Sequence, residues 1–129
     1  MANVTRSRAY AASADQIWGI IGTFGGLGEW HPAVVKQTNE GDLRHLEIPG
    51  GAVIVERSLG GDNHSYAYEI VSGPLPVSGY RSVLSVGAAG SGSVVSWTST
   101  FEPTADGADG AVAGIYEAGL SALAEKLGE

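Results

Sequence analysis

The sequence predicts an α+β domain: a curved antiparallel sheet of about seven strands wrapped around one long C-terminal helix, with two short helices after the first strand. Three observations predict it. Residues 34–102 break into short segments that alternate apolar and polar side chains, the pattern of antiparallel strands with one covered face. Residues 109–127 instead repeat apolar side chains at helical spacing. A run of strands closed by a helix argues against the strand–helix alternation of a parallel sheet.

Each element has its own signal. Val4 to Ala11 reads as the first strand. Ser13-Ala14-Asp15-Gln16 is a capping-box pattern, and Ile17, Ile20 and Ile21 then form one apolar face. Gly22 ends that helix, with Trp18 in the core. Thr23 to Glu29 forms a second, glycine-weakened helical piece. Pro32 biases His31 toward extended backbone. Breaks are expected at Gly41, Pro49-Gly50-Gly51, Gly60-Gly61, Gly73-Pro74 and Gly87 to Gly92. Tyr66, Tyr68 and Ile70 share a face. So do Tyr80, Ser82, Leu84 and Val86, and so do Val95, Trp97, Ser99 and Phe101. In the last helix Val112, Ile115, Tyr116, Gly119, Leu120, Leu123 and Leu127 fall on one stripe, opposite Glu117, Ser121 and Glu125. Sheet and helix therefore have apolar faces to bury against each other.

The chain has 129 residues, the length of one domain spanning residues 1–129. Glycine accounts for 20 of them, about twice the usual 7%, as a turn-rich chain requires. The net charge is -7, and 102–129 hold six acids and one base. That balance argues against nucleic acid and against anionic membrane surfaces. With no cysteine there is no disulfide and no thiolate site. No secretion signal and no membrane-length apolar run are visible, so a cytoplasmic location is expected. His31, His45 and His64 lie far apart in sequence, and no metal site is expected. No nucleophile elbow, phosphate-binding loop or dinucleotide fingerprint is present.

The segments Gly22-x-Phe24-x-x-Leu27-x-x-Trp30-His31-Pro32, Val55-Glu56-Arg57, Tyr66-x-Tyr68-x-Ile70 and Pro74-Leu75-Pro76-Val77-x-x-Tyr80 follow one another in order. Val95-x-Trp97 and Ile115-Tyr116-x-x-Gly119-Leu120-x-x-Leu123 complete the series. Together they resemble the polyketide cyclase/dehydrase branch of the START-like superfamily, the Bet v 1-like helix-grip or SRPBCC proteins. The resemblance implies a deep cavity between sheet and helix. It implies that His31, Glu56, Tyr66, Tyr68, Ile70, Tyr80, Ser82, Trp97, Ser99, Ile115 and Gly119 face that cavity, with Trp30 a further wall residue. Pro49-Gly50-Gly51-Ala52 resembles the gate loop of the superfamily's plant receptors, with Gly73 to Gly79 opposite.

The function so implied is that of a cofactor-free cyclase in secondary metabolism. It would act on an apolar, carbonyl-containing intermediate by intramolecular aldol, Michael-type or dehydration chemistry. His31 and Glu56 would exchange protons, since imidazole and a buried carboxyl can both titrate near neutrality. Tyr68 and Tyr80 would orient the substrate's oxygens as hydrogen-bond donors. The alternative is a non-catalytic carrier or sensor of a hydrophobic small molecule. Both readings make that molecule the partner of a monomer or homodimer, and both need a cavity near ~300 Å³. A third reading has the acidic back of the last helix, Glu117 and Glu125, contact a basic partner. Bland roles stand beside these: a hydrogen-bonded structural histidine, aromatic core packing, and an outward Glu56 paired with Arg57 or Arg81.

Overall fold

The computed structural model describes residues 1–129. Seven strands form one antiparallel sheet in the order β1-β7-β6-β5-β4-β3-β2. They are β1 (Ala2–Tyr10), β2 (Lys36–Glu40), β3 (Leu43–Glu47), β4 (Val53–Asp62), β5 (Ser65–Ser72), β6 (Val77–Ala89) and β7 (Gly92–Pro103). Two helices, α1 (Ala14–Ile21) and α2 (Ala108–Leu127), and a 3₁₀ segment at Phe24–Glu29 complete the chain.

Strands β2 to β7 follow in sequence and pair as neighbours, so short turns suffice. Only β1 pairs out of order, with β7. The alternation read from sequence is the one observed: Tyr66, Tyr68, Tyr80, Ser82, Leu84, Val86, Val95, Trp97, Ser99 and Phe101 are all buried. Gly60 and Gly61 do not break a strand. They lie inside β4, where its register against β5 shifts between Ser58 and Gly60. A second shift between Val55 and Glu56 sits at the inward-facing carboxylate, and bulges of this kind bend a strand and re-aim its side chains.

Helix α1 is capped as its sequence predicts, with the Gln16 N–H donating to Ser13 Oγ at 3.1 Å. Helix α2 buries Val112, Tyr116, Leu120 and Leu123 and leaves Glu117, Ser121 and Glu125 exposed. Asp109 in its first turn and Lys126 in its last suit the helix dipole. Gly128, at φ 74°, supplies the left-handed C-cap, a conformation that costs glycine little. The helix is tied to β1 by Tyr10, whose hydroxyl donates to the Leu120 carbonyl at 2.7 Å. Glu129 belongs to the acidic tail but has a structural task. Its carboxylate accepts the Ala11 and Ala12 N–H groups at 2.6 and 3.1 Å. No helix is long and apolar enough to cross a membrane.

Candidate functional site

Beta-strand parity brings the functional side chains together on the concave face. Arg44 on β3 and Glu56 on β4 are direct cross-strand partners, and Glu56 pairs in turn with Ile70 on β5. One row across the sheet reads Tyr68, Ser82, Ser99, and another reads Tyr66, Leu84, Trp97. Two buried polar systems result.

The first is charged. Arg44 is 0% exposed and Glu56 6%. Arg44 Nε donates to Glu56 Oε1 at 2.8 Å, and Nη2 lies 2.8 Å from the same oxygen. Nη1 donates to the Phe24 carbonyl at 2.7 Å and to the Tyr66 hydroxyl at 3.2 Å. The guanidinium also sits 4.0 Å from the Phe24 ring centre and 4.7 Å from that of Tyr68, close enough for cation–π attraction. Burial pushes the Glu56 carboxyl up, and Arg44 opposes that shift. Burial also works against the charge on Arg44, but Glu56 and the tyrosines outweigh it and hold Arg44 above its ordinary value. Protonating Glu56 would strand a buried guanidinium that cannot shed its own proton. The pair is therefore ionic at neutral pH.

Sequence analysis missed Arg44. The outward-facing reading of Glu56 with Arg57 or Arg81 does not hold: Arg57 pairs with Glu69 at 3.1 Å and Asp42 at 3.7 Å. The usable signal was parity, since Arg44 alternates in step with Leu46 and Ile48.

The second system is neutral. Trp97 Nε1 donates to the Tyr68 hydroxyl at 3.0 Å, and Tyr68 lies 3.4 Å from the Tyr80 hydroxyl. Tyr80 bonds to Tyr116, Tyr116 lies 3.0 Å from Ser82 Oγ, and Ser82 donates to the Thr98 carbonyl at 3.0 Å. Burial raises the pKa of Tyr66, Tyr68, Tyr80 and Tyr116 and keeps them protonated. Tyr116 was read as part of the helix stripe, not of the site. It stacks on Trp97 with ring centres 4.6 Å apart.

His31 lies between these systems and α2. Its Nδ1 accepts the Ala33 N–H at 3.1 Å, and its Nε2 is 2.8 Å from the Ile115 carbonyl. Burial, more than any other cause, lowers its pKa. Gly119 permits this approach: a Cβ there would stand 2.8 Å from His31 Cδ2 and 2.8 Å from Trp97 Cζ3. Gly119 therefore opens no space. It lets two rings press against the helix.

An apolar pocket opens beside this assembly. Of the residues named from sequence, His31, Glu56, Ile70, Tyr68, Tyr80, Trp97 and Ile115 line it. Trp30, Tyr66, Ser82, Ser99 and Gly119 do not. Trp30 and Ser99 are buried nearby, their Nε1 and Oγ without hydrogen-bond partners. Seven residues not singled out from sequence as cavity walls complete the lining: Leu27, Ala33, Val34, Leu46, Ile48, Ile54 and Leu75. Val34, Ile48, Ile70, Leu75 and Ile115 are only half-buried and leave an apolar mouth. The cavity itself measures about 40 Å³, far below the ~300 Å³ expected of a ligand site. The deep cavity is thus not found. The Trp97–Tyr116 stack and the close approach over Gly119 fill the space it would occupy.

Comparison with known proteins fits this architecture. The family model described as polyketide cyclase / dehydrase and lipid transport matches residues 1–128. No curated protein matches the sequence. The XoxI protein of Bacillus cereus is 34% identical, with a TM-score of 0.93 over 98% of this chain and 95% of that one. A Bacillus thuringiensis protein is 34% identical, with a TM-score of 0.92 over 99% of this chain and 100% of that one. Norcoclaurine synthase from Thalictrum flavum shares the fold at 21% identity, with a TM-score of 0.78 over 99% of this chain and 87% of that one. Sheet order, gripped helix and whole-length match converge: the chain belongs to the polyketide cyclase / dehydrase and lipid transport family.

Proposed function

We propose that this protein binds a small, mostly apolar molecule through the half-exposed mouth and holds its polar group against Glu56, Tyr68 and Tyr80. One observation carries the reading: an apolar rim left open to solvent leads to a buried carboxylate, paired with Arg44, on the pocket wall. Burying such a carboxylate is costly, and a hydrophobic core of this size does not require one. At about 40 Å³ the pocket has room for water only, so the ligand must push the mouth apart. The turn at 49–52 and the loop at 73–76 flank that mouth and connect strands without being part of the sheet.

A second reading, cofactor-free cyclisation of a carbonyl-containing intermediate, is favoured by Glu56 itself. Arg44 is the only partner of this carboxylate, which would let it take a proton from a substrate carbon held beside it. His31 is less suited, because both its ring nitrogens are occupied by backbone groups.

Native mass spectrometry of freshly purified protein, followed by NMR titration with 2-naphthol, tests the binding reading. It predicts saturable shifts at Ile48, Ile70, Leu75 and Ile115. A protein that carries no small molecule and gives no saturable shift defeats it. Turnover then separates the readings: a carrier returns the captured molecule unconverted, whereas a cyclase converts its substrate and loses that conversion in Glu56→Gln.

A further inference from the structure

Counting hydroxyl protons gives the tyrosine chain a direction. Ser82 has one such proton and gives it to the Thr98 carbonyl at 3.0 Å. Towards Tyr116, 3.0 Å away, Ser82 can therefore only accept. Tyr116 donates to Ser82, so Tyr80 must donate to Tyr116, and Tyr68 must donate to Tyr80. Trp97 Nε1 is a donor only, and it donates to Tyr68. Every donor in the chain points the same way, from Trp97 toward the backbone of β7. His31 is equally committed. The Ala33 N–H donates to Nδ1, which places the ring proton on Nε2, and Nε2 gives it to the Ile115 carbonyl.

Each pocket-lining side chain with a polar proton has thus spent it inside the protein. What the pocket can offer a ligand is acceptors: the Glu56 carboxylate and the remaining lone pairs of the tyrosine oxygens. A ligand carbonyl beside Glu56 would meet a second acceptor and no donor. A ligand carboxylate would add repulsion. An ammonium would bring donors, but Arg44 already neutralises Glu56, so an uncompensated charge would be buried. A hydroxyl brings the proton without the charge.

Resting on the binding reading above, we infer that the pocket recognises a neutral hydrogen-bond donor, an alcohol or phenol hydroxyl, through Glu56, and discriminates against carbonyl and carboxylate ligands.

Calorimetric titration with 2-naphthol, 2-methoxynaphthalene and 2-acetylnaphthalene tests this, on the wild type, on Ser82→Ala and on Ser82→Ala with Ser99→Ala. The wild type is expected to bind naphthol about tenfold tighter than either of the others, the value of one hydrogen bond to a charged group. In Ser82→Ala, Tyr116 loses that acceptor, and adding Ser99→Ala removes the neighbouring Ser99 hydroxyl that could replace it. The chain can then reverse, Tyr68 can donate into the pocket, and the ketone gains on the phenol. Glu56→Gln, which adds an amide donor, narrows the gap in the same sense, and Ser82→Ala with Ser99→Ala decides the matter if Glu56→Gln does not fold. Ketone binding as tight as naphthol binding in the wild type overturns the inference and leaves the binding reading intact. A naphthol preference undiminished in Ser82→Ala with Ser99→Ala overturns the assigned direction of the chain. Absence of binding by all three compounds defeats both.

Discussion

The two buried polar systems solve the same problem by opposite means. At the β3–β4 end, Arg44 and Glu56 meet buried polarity with full charges, and Phe24 and Tyr66 close around them. At the β5–β7 end, Tyr68, Tyr80, Tyr116 and Ser82 meet it with neutral hydroxyls relayed to a backbone carbonyl. A charged pair fails as a whole when one partner goes, because the survivor is left buried and uncompensated. A neutral relay loses one link at a time. The charged end therefore carries the larger share of the fold's fragility.

The largest expected effect follows from that contrast. Arg44→Met should destabilise the protein by about 3–5 kcal/mol, read by urea unfolding at pH 7. The loss should ease in acid, because the stranded Glu56, with its pKa raised in the fold, can then be buried protonated. The double variant Arg44→Met with Glu56→Leu should recover most of it. A double variant no more stable than the single one would show that the pair is not a coupled unit.

Gly119→Ala comes next. Its new methyl group meets the His31 and Trp97 rings, and overpacking of this kind costs about 1–3 kcal/mol. The thermal midpoint should fall, with chemical shifts moving first at His31 and Ile115. Unchanged stability would mean that the rings retreat freely.

Tyr80→Phe removes one link from the neutral relay and should cost about 1 kcal/mol, several-fold less than Arg44→Met. Equal losses in the two variants would erase the distinction between the systems.

The smallest effect is a pH dependence. The pKa of His31 is lowered in the fold, so its contribution is complete above the unfolded value near 6.5 and is lost as pH falls from there toward the folded value. Wild type should lose stability across that window more steeply than His31→Gln does. Parallel pH profiles would remove His31 from the account.

The fold was legible because periodicity reports burial directly. Alternation put Tyr66 with Tyr68, and set Tyr80 and Trp97 each on one face of its strand; the family resemblance turned those faces inward, and all four are buried there. The site was less legible for two physical reasons. Parity set Glu56 and Arg57 on opposite faces and the family resemblance turned Glu56 inward, but its partner Arg44 is a residue type that is almost never fully buried unless paired, and the pairing depends on a register between β3 and β4 that no single strand displays. Gly119 fell on the inner stripe, yet a stripe cannot say whether a missing side chain leaves a space or admits a neighbour. Here it admits two rings, and that is why the cavity is closed.

The Trp97–Tyr116 stack has a practical consequence. Trp97 lines the pocket, lies 5.8 Å from the Trp30 ring and gives its indole proton to Tyr68. Trp18, on α1, sits apart, beside His64 and Tyr66. A molecule that parts the mouth and enters the pocket comes to lie against Trp97. Its emission is then a built-in optical gauge of occupancy, and ligands can be screened by intrinsic fluorescence on the unlabelled protein.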